Sequence, residues 1–176
     1  MWYSAISFSS TGLPFFTEAK IFLRLGPSRA LVVYTSDTIN IPNPAGAGIS
    51  STTTGAAAGK LIDTTQDFIA AGVRIGDIIY SAGPIVATVT AVDSATQLSV
   101  STAVPTTTAY KLYSNDAPNN GCVLYIGDVG SGVKTRVITA GGDNVTFRGF
   151  TAGSFIPVQV KRVLTGTDSL YIIALW

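Results

Sequence analysis

The chain has 176 residues, of which 47% are apolar and only 12% are charged, and its formal net charge is +1. The charged share is about half that of an average soluble protein, so this composition predicts a surface that is partly covered by partner molecules. The eleven basic residues are scattered, whereas binding to polyanions requires clustered Lys and Arg, so nucleic acid is not an expected partner.

Residues 1–30 are the first predicted element, an arm rich in aromatic residues without a clear strand period. The segment lacks a basic start, a long apolar middle and a cleavage site, so neither a signal peptide nor a membrane partner is expected. We predict that the arm docks onto a partner, although it could instead cover the core of its own chain. The predicted assembly contacts are Trp2, Tyr3, Phe8, Phe15, Phe16, Phe22 and, at the other end of the sequence, Trp176.

Short β-type runs recur between turn residues from residue 30 onward, and they predict an all-β fold built from hairpins. The runs are ALVVYTS, RIGDIIYS, IVATVTAV, QLSVST, YKLYS, CVLYIG, KTRVITA, NVTFRGF, FIPVQVKRVL and LYIIALW. The best helical candidate is a single turn within TTQDFIAAG, with Thr64 or Thr65 as the N-cap.

Two stretches at 43–59 and 114–121 are rich in Gly, Ala, Ser, Thr, Pro and Asn, which is typical of linkers and loops. Between them, ATVTAVDSATQLSVST predicts a hairpin that turns at residues 93–96. Short strands of this kind can curl into a small barrel. The predicted division is an N-terminal arm at 1–30, a small antiparallel β-sandwich or barrel at 31–48 plus 117–176, and an inserted small β-barrel-like domain at 55–116.

The segment VLYIGDVGSGVKTRVITAGG is close to a phosphate-binding loop. Gly127 and Gly132 have the required separation, but Val133 stands where the loop needs lysine, and Lys134 comes one position late. The residues that follow alternate as in a strand, whereas a phosphate loop must open a helix. We therefore interpret GDVGSG as a hairpin loop, and AGGD at 140–143 as the next turn.

The last two runs predict strands with different surroundings. In SFIPVQVKRVL, the alternation places Ile156, Val158 and Val160 on one apolar face, and the opposite face can be wetted or paired. LYIIALW is apolar nearly throughout, which is typical of a strand buried on both faces.

The residues present leave little room for catalysis. Histidine is absent and Cys122 is the single cysteine, which excludes an internal disulfide, a cysteine-built zinc site and the usual serine triad. The aspartates stand mostly beside Gly, Ser, Thr or Asn, where carboxylates set up turns. A paired-carboxylate glycosidase stays arithmetically possible, but nothing marks a pair. We expect no catalytic residues, no cofactor and no metal, and we expect Cys122 to be a small buried hydrophobe.

The last third carries a series of motifs in a particular order. They are an apolar segment at 124–130, VTF at 145–147, Ala-Gly at 152–153, PVQVKRV at 157–163, Gly-Thr at 166–167 and an apolar strand at 171–176. Earlier in the chain, residues 36–42 supply Ser-Asp-Thr followed by an apolar residue and proline. This pattern resembles the head-spike base proteins of gene-transfer agents and tailed phages. The middle zone is similar to a small β-module of environmental phage virion proteins.

The resemblance implies a non-enzymatic structural component of a tailed-phage virion, made in the host cytoplasm without export. On this view it is a capsid decoration, cement or vertex (spike-base) protein, present as a homo-oligomer or in many symmetric copies, and its partners are the major capsid protein or other virion proteins. The alternative is a tail-associated structural protein or a receptor- or carbohydrate-binding β-module. In the carbohydrate-binding case, Tyr80, Tyr110 and Tyr113 would stack on sugars, although packing in the core or in a hairpin is the favoured interpretation of these three residues.

Overall fold

The computed structural model describes residues 28–129 and 134–176, and it is all-β. Twelve strands form two antiparallel sheets of six strands each, and the single helix of the described residues is a 3₁₀ turn at Pro44–Gly46. The strands are β1 (Ala30–Val32), β2 (Ala47–Thr52), β3 (Lys60–Ile62), β4 (Ile78–Ser81), β5 (Ile85–Ser94), β6 (Gln97–Val100), β7 (Ala109–Tyr113), β8 (Cys122–Asp128), β9 (Lys134–Thr139), β10 (Asn144–Arg148), β11 (Ser154–Val163) and β12 (Leu170–Leu175).

The predicted all-β fold is confirmed, and each of the ten predicted runs contains a strand. Neither sheet is closed into a barrel, so of the architectures that the sequence left open the β-sandwich is the consistent one. Two strands were not predicted, and one of them, β2, lies inside the stretch at 43–59 that was interpreted as a linker. Of the predicted arm, residues 1–27 lie outside the described residues.

The first sheet has the strand order β1-β12-β8-β11-β9-β10. The prediction that GDVGSG closes a hairpin is wrong, because β11 lies between β8 and β9 and pairs with both of them. The first half of β11 pairs with β8 and its second half with β9, with register shifts between Ile156 and Arg162. Those shifts break the predicted alternation, so that Ile156 and Val160 are buried while Val158 is 36% exposed. The segment after the loop is the strand β9, as the sequence predicts.

The second sheet has the order β2-β7-β4-β5-β6-β3 and comes from one continuous part of the chain. The predicted hairpin between β5 and β6 is confirmed, and Ser94 pairs with Gln97 across the turn. The predicted hairpin between β9 and β10 is confirmed as well.

The predicted helical candidate is not a helix in the structure: residues 68–72 form a turn in which the backbone N–H of Ala71 donates to the carbonyl of Asp67, and neither Thr64 nor Thr65 caps it. The backbone N–H of Ala70 donates to Asp67 Oδ1 at 2.9 Å, so Asp67 is the capping residue. Thr65 has a different role, because its N–H and its hydroxyl both donate to Asp63 Oδ1.

Each sheet has its own buried core. Leu124, Ile126 and Ile156 belong to the core of the first sheet, and Phe68 and Ile79 to the core of the second. Complete burial of such side chains contributes about 1.5–3 kcal/mol each.

Cys122 belongs to the core of the first sheet, and burial raises the pKa of its thiol to about 12. The predicted buried cysteine is therefore confirmed.

A third cluster joins the two sheets. Tyr80 and Tyr113 of the second sheet pack with Leu31, Tyr34 and Ile39, and the rings of Tyr34 and Tyr80 are 5.1 Å apart. The chain passes between the sheets twice, at residues 43–46 and 114–118, and the two passages touch. Asn43 donates to the carbonyl of Pro118, which joins the two passages. They also approach closely at Gly46, where a β-carbon would lie 2.7 Å from Ala117 Cβ.

A buried carboxylate sits inside the second sheet. Asp63 is completely buried, and Tyr110 donates its hydroxyl to Asp63 Oδ2 at 2.9 Å. Burial opposes ionisation, but the hydrogen bonds from Thr65, Ser51 and Tyr110 together outweigh it, so the pKa of Asp63 lies below its ordinary value. The ionised network therefore stabilises the fold above the unfolded pKa of about 3.9. This contribution is lost as the pH falls through the lower folded pKa.

Tyr110→Phe removes one donor from this carboxylate and leaves the aromatic packing in place. We expect a loss of about 1–3 kcal/mol in the free energy of unfolding at neutral pH. The loss should shrink at an acidic pH below the lowered folded pKa of Asp63, where the carboxyl is protonated. Urea unfolding of both proteins at the two pH values measures it, with Tyr125→Phe in the first sheet as the matched control. An equal loss at both pH values would contradict the proposed network.

Candidate assembly surface

The first sheet has an apolar outer face as well as an apolar core. Because side chains alternate along a strand, the neighbours of the buried Leu124, Ile156 and Ile172 point to the opposite side. We call this outer set the apolar face, and its members lie on β1, β12, β8 and β11. They are Val32, Val123, Tyr125, Phe155, Tyr171, Ile173 and Leu175.

The strand register places these side chains in rows. Val32 pairs with Ile173, Ile173 with Tyr125, and Tyr125 with Phe155, so one row crosses four strands. The rings of Tyr125 and Phe155 meet edge to face at 5.4 Å. Leu175 and Val123 pair in a parallel row.

The apolar face is accessible and carries no charged residue. Phe155 is 56% exposed, Val32 is 55% exposed and Tyr171 is 75% exposed. A contiguous exposed apolar patch marks a binding surface in most soluble proteins, whereas a single exposed apolar side chain means little. We therefore take the apolar face as the candidate assembly surface.

Sequence reasoning missed this surface. LYIIALW was expected to be buried on both faces, and that prediction is wrong, because Leu170 and Tyr171 are at least half exposed. β12 is nevertheless an inner strand, paired with β1 and β8. The available signal was the unbroken apolar run itself, which an inner strand with one solvent-facing side also produces.

Trp176 is the one predicted contact residue among the described residues; Trp2, Tyr3, Phe8, Phe15, Phe16 and Phe22 lie outside them. The side chain of Trp176 packs against the core of the first sheet and is partly buried. With Val123, Phe155 and Leu175 it lines an open cleft of about 690 Å³ at the margin of the apolar face. Its Nε1 is buried without a hydrogen-bond partner among the described residues.

Tyr171 has an unusual backbone conformation for an exposed aromatic residue. Its φ is +50°, in the left-handed region, where a residue with a β-carbon costs about 1–2 kcal/mol. The backbone of Gly127 lies directly opposite: a β-carbon there would be 2.8 Å from the carbonyl oxygen of Tyr171. The close approach of the two strands thus holds an exposed ring in a strained position, as is common at functional sites.

Tyr171→Gly should stabilise the isolated protein by about 0.5–1 kcal/mol, because relief of the left-handed strain exceeds the entropic cost of glycine. Thermal and urea unfolding measure the change. Tyr171→Ala is the matched control, since it removes the same ring but keeps the β-carbon and the strain. A gain in stability from both variants would show that the destabilisation comes from the exposed ring of Tyr171 and not from its backbone conformation.

Tyr80, Tyr110 and Tyr113 are buried, so the favoured interpretation that they pack in the core is confirmed, and they are not placed to stack on sugars. Tyr80, Tyr110 and Tyr113 have exposed fractions of 6% or less, and burial is the main cause that raises the pKa of each phenol. Tyr110 belongs to the core of the second sheet, and Tyr80 and Tyr113 belong to the cluster that joins the two sheets.

Other kinds of site are not formed by the described residues. Within 28–129 and 134–176, acidic and cysteine side chains form no group of three that could hold a metal ion. In the same part of the chain, no helix has the length and apolar character needed to cross a membrane.

The two chain segments that carry the phage-protein resemblance contact each other. Arg162 donates from Nε and Nη2 to Asn40 Oδ1 at 3.0 and 2.8 Å, and from Nη1 to the carbonyl of Asp37 at 2.7 Å. The Thr165 hydroxyl and N–H both donate to the Asp37 carboxylate. The hydroxyl bond is the main cause that lowers the pKa of Asp37.

No family model, no curated protein and no solved structure matches this chain. What the protein does has therefore to be inferred from its own residues and their geometry.

Proposed function

We propose that the protein is a non-enzymatic structural component of a tailed-phage virion. Its role is that of a capsid decoration or cement protein, or of a vertex (spike-base) protein, bound to the major capsid lattice. The observation that carries this proposal is the uncharged, accessible apolar face across β1, β12, β8 and β11. The motif pattern of the last third supports the same role, since its separated parts lie against each other.

The apolar face is suited to a permanent contact. Its exposed anchors, Phe155, Tyr171 and Val32, would become buried against the lattice, and a buried aromatic anchor contributes about 2 kcal/mol or more. The face has no charge to desolvate. Repetition over many symmetric copies adds avidity to each contact.

Strand addition offers a second kind of contact. Among the described strands, β1 and β10 are the edges of the first sheet, and each pairs with one neighbouring strand only. A lattice protein can extend the sheet at such an edge through main-chain hydrogen bonds. β1 is also the first strand of the apolar face, so both contacts can be made by one partner.

Image reconstruction of particles assembled with this protein tests the proposal. We expect its density at repeated positions on the icosahedral shell or at the vertices, with the apolar face turned toward the lattice. Density confined to the tail would support the tail-associated alternative and overturn the capsid role. Absence from purified particles, together with a solitary monomer in solution, would overturn the virion role.

A further inference from the structure

We propose that residues 1–16 of the same chain cover the apolar face in the unassembled protein, and that binding to the lattice displaces them. The first half of this inference concerns the isolated chain alone; the second half rests on the proposed function. Three observations favour residues 1–16 over a second copy of the protein as the cover of the apolar face.

The first observation is where the described chain begins. The backbone N–H of Ser28 donates to the carbonyl of Trp176 at 2.6 Å, immediately after β12. Trp176 and Leu175 line the cleft at the margin of the apolar face. Residues 1–27 are therefore attached beside the surface that they would cover.

The second observation is the length of the connecting segment. Residues 17–27 can span up to about 36–40 Å when fully extended. Four adjacent strands cover only about 14 Å, measured between the outer two. Residues 1–16 can therefore reach every row of the apolar face without any rearrangement of the sheet.

The third observation is chemical complementarity. Residues 1–16 contain no charged side chain and five aromatic ones, at positions 2, 3, 8, 15 and 16. The nearest charges, Glu18, Lys20 and Arg24, all lie in the connecting segment. Two uncharged surfaces can meet without a desolvation cost for ions, and each hides apolar area that the other would leave in water.

Attachment also decides between the chain's own arm and that of another copy. A segment tethered by a short connection has an effective concentration of about millimolar. A second copy at micromolar concentration competes at a disadvantage of about a thousand-fold. The arm and the apolar face would thus be shielded together in the free protein and become available together on the particle.

Photo-crosslinking of the purified full chain tests the contact. A benzophenone amino acid replaces Phe155, which is 56% exposed, and the matched control carries it at Ile69, which is 63% exposed in the turn between β3 and β4. We expect crosslinks from position 155 to peptides of residues 1–16 in a product of monomer size, and none from position 69. The absence of such crosslinks, or their restriction to a product of dimer size, would overturn the inference.

Dye binding gives an independent measure. Removal of residues 1–16 should increase the fluorescence of an apolar-surface dye, and a synthetic peptide of residues 1–16 should reverse the increase at concentrations below the effective concentration of about millimolar that the tethered segment has. Unchanged dye binding would overturn the inference. Both experiments use free protein, so the two proposals can fail separately. Crosslinking without incorporation into particles would reject only the virion role. Incorporation without crosslinking would reject only the covering of the apolar face by residues 1–16.

Discussion

Deletion of residues 1–16 is expected to abolish incorporation of the protein into particles while both sheets stay folded. The deleted segment carries five aromatic residues, and buried aromatic anchors dominate binding energy at about 2 kcal/mol or more each. Among the described residues, the cores of the two sheets are built from residues beyond position 30. The amount of protein in purified particles measures incorporation, and thermal unfolding of the free variant measures the fold.

A substitution within the full-length arm provides the control for this deletion. Phe15→Ser with Phe16→Ser keeps the length of the segment and removes only two rings. We expect a partial loss of incorporation that lies between wild type and the deletion. Normal incorporation of the truncated chain would show that the arm has no part in assembly.

Phe155→Asp is expected to reduce incorporation by about 30-fold or more. The substitution removes an anchor worth about 2 kcal/mol, which corresponds to that factor, and it places a carboxylate where the lattice would bury it without a partner. Phe155 lies at the end of the row that begins at Val32, so the charge falls within the candidate assembly surface. Competition between wild-type and variant protein for a limiting number of particles measures the ratio of their incorporation.

The matched control is Ile69→Asp, the same change at an exposed apolar residue outside the apolar face. In protein that lacks residues 1–16 both positions are exposed, so each substitution should leave the free energy of unfolding of that protein within about 0.5 kcal/mol of its parent. Equal incorporation of the two variants would remove the apolar face from the assembly surface.

The sequence was sufficient to predict strands wherever β-branched and aromatic residues alternate between turns. β2 was missed because AGISST consists of small residues that also fit a linker, and its strand conformation depends on pairing with β7. β3 has only three residues and depends in the same way on β6. Their structure is set by neighbours distant in the chain.

The arrangement of the strands was less accessible than their positions. Adjacent strands with a short glycine-rich connection usually form a hairpin, and that rule fails at β8 and β9 because β11 inserts between them. Val158 illustrates the same limit, since its exposure follows from register shifts in β11 that no local pattern records. Pairing between distant segments decides both outcomes.

The candidate site shows where sequence patterns are ambiguous. Ile173 and Ile172 are equally apolar, yet Ile172 faces the core and Ile173 lies in the exposed row. Tyr80 and Tyr113 allowed both a sugar-binding surface and core packing, and they are packed between the sheets, as the favoured interpretation has it. Composition indicated that apolar surface would be accessible, but the sheet geometry was needed to locate it.

The two touching passages between the sheets have a consequence for how the chain folds. Asn43 donates to the carbonyl of Pro118, which is 75 residues away, at 2.7 Å. Closing a flexible loop of that length costs about 4 kcal/mol of chain entropy. The second sheet needs only residues between these points, so its formation would bring them together and spare the first sheet that cost. We therefore expect hierarchical folding, in which β1 can find β12 rapidly only after the intervening sheet has formed, and in which core substitutions at Phe68 slow the folding of strands they never touch.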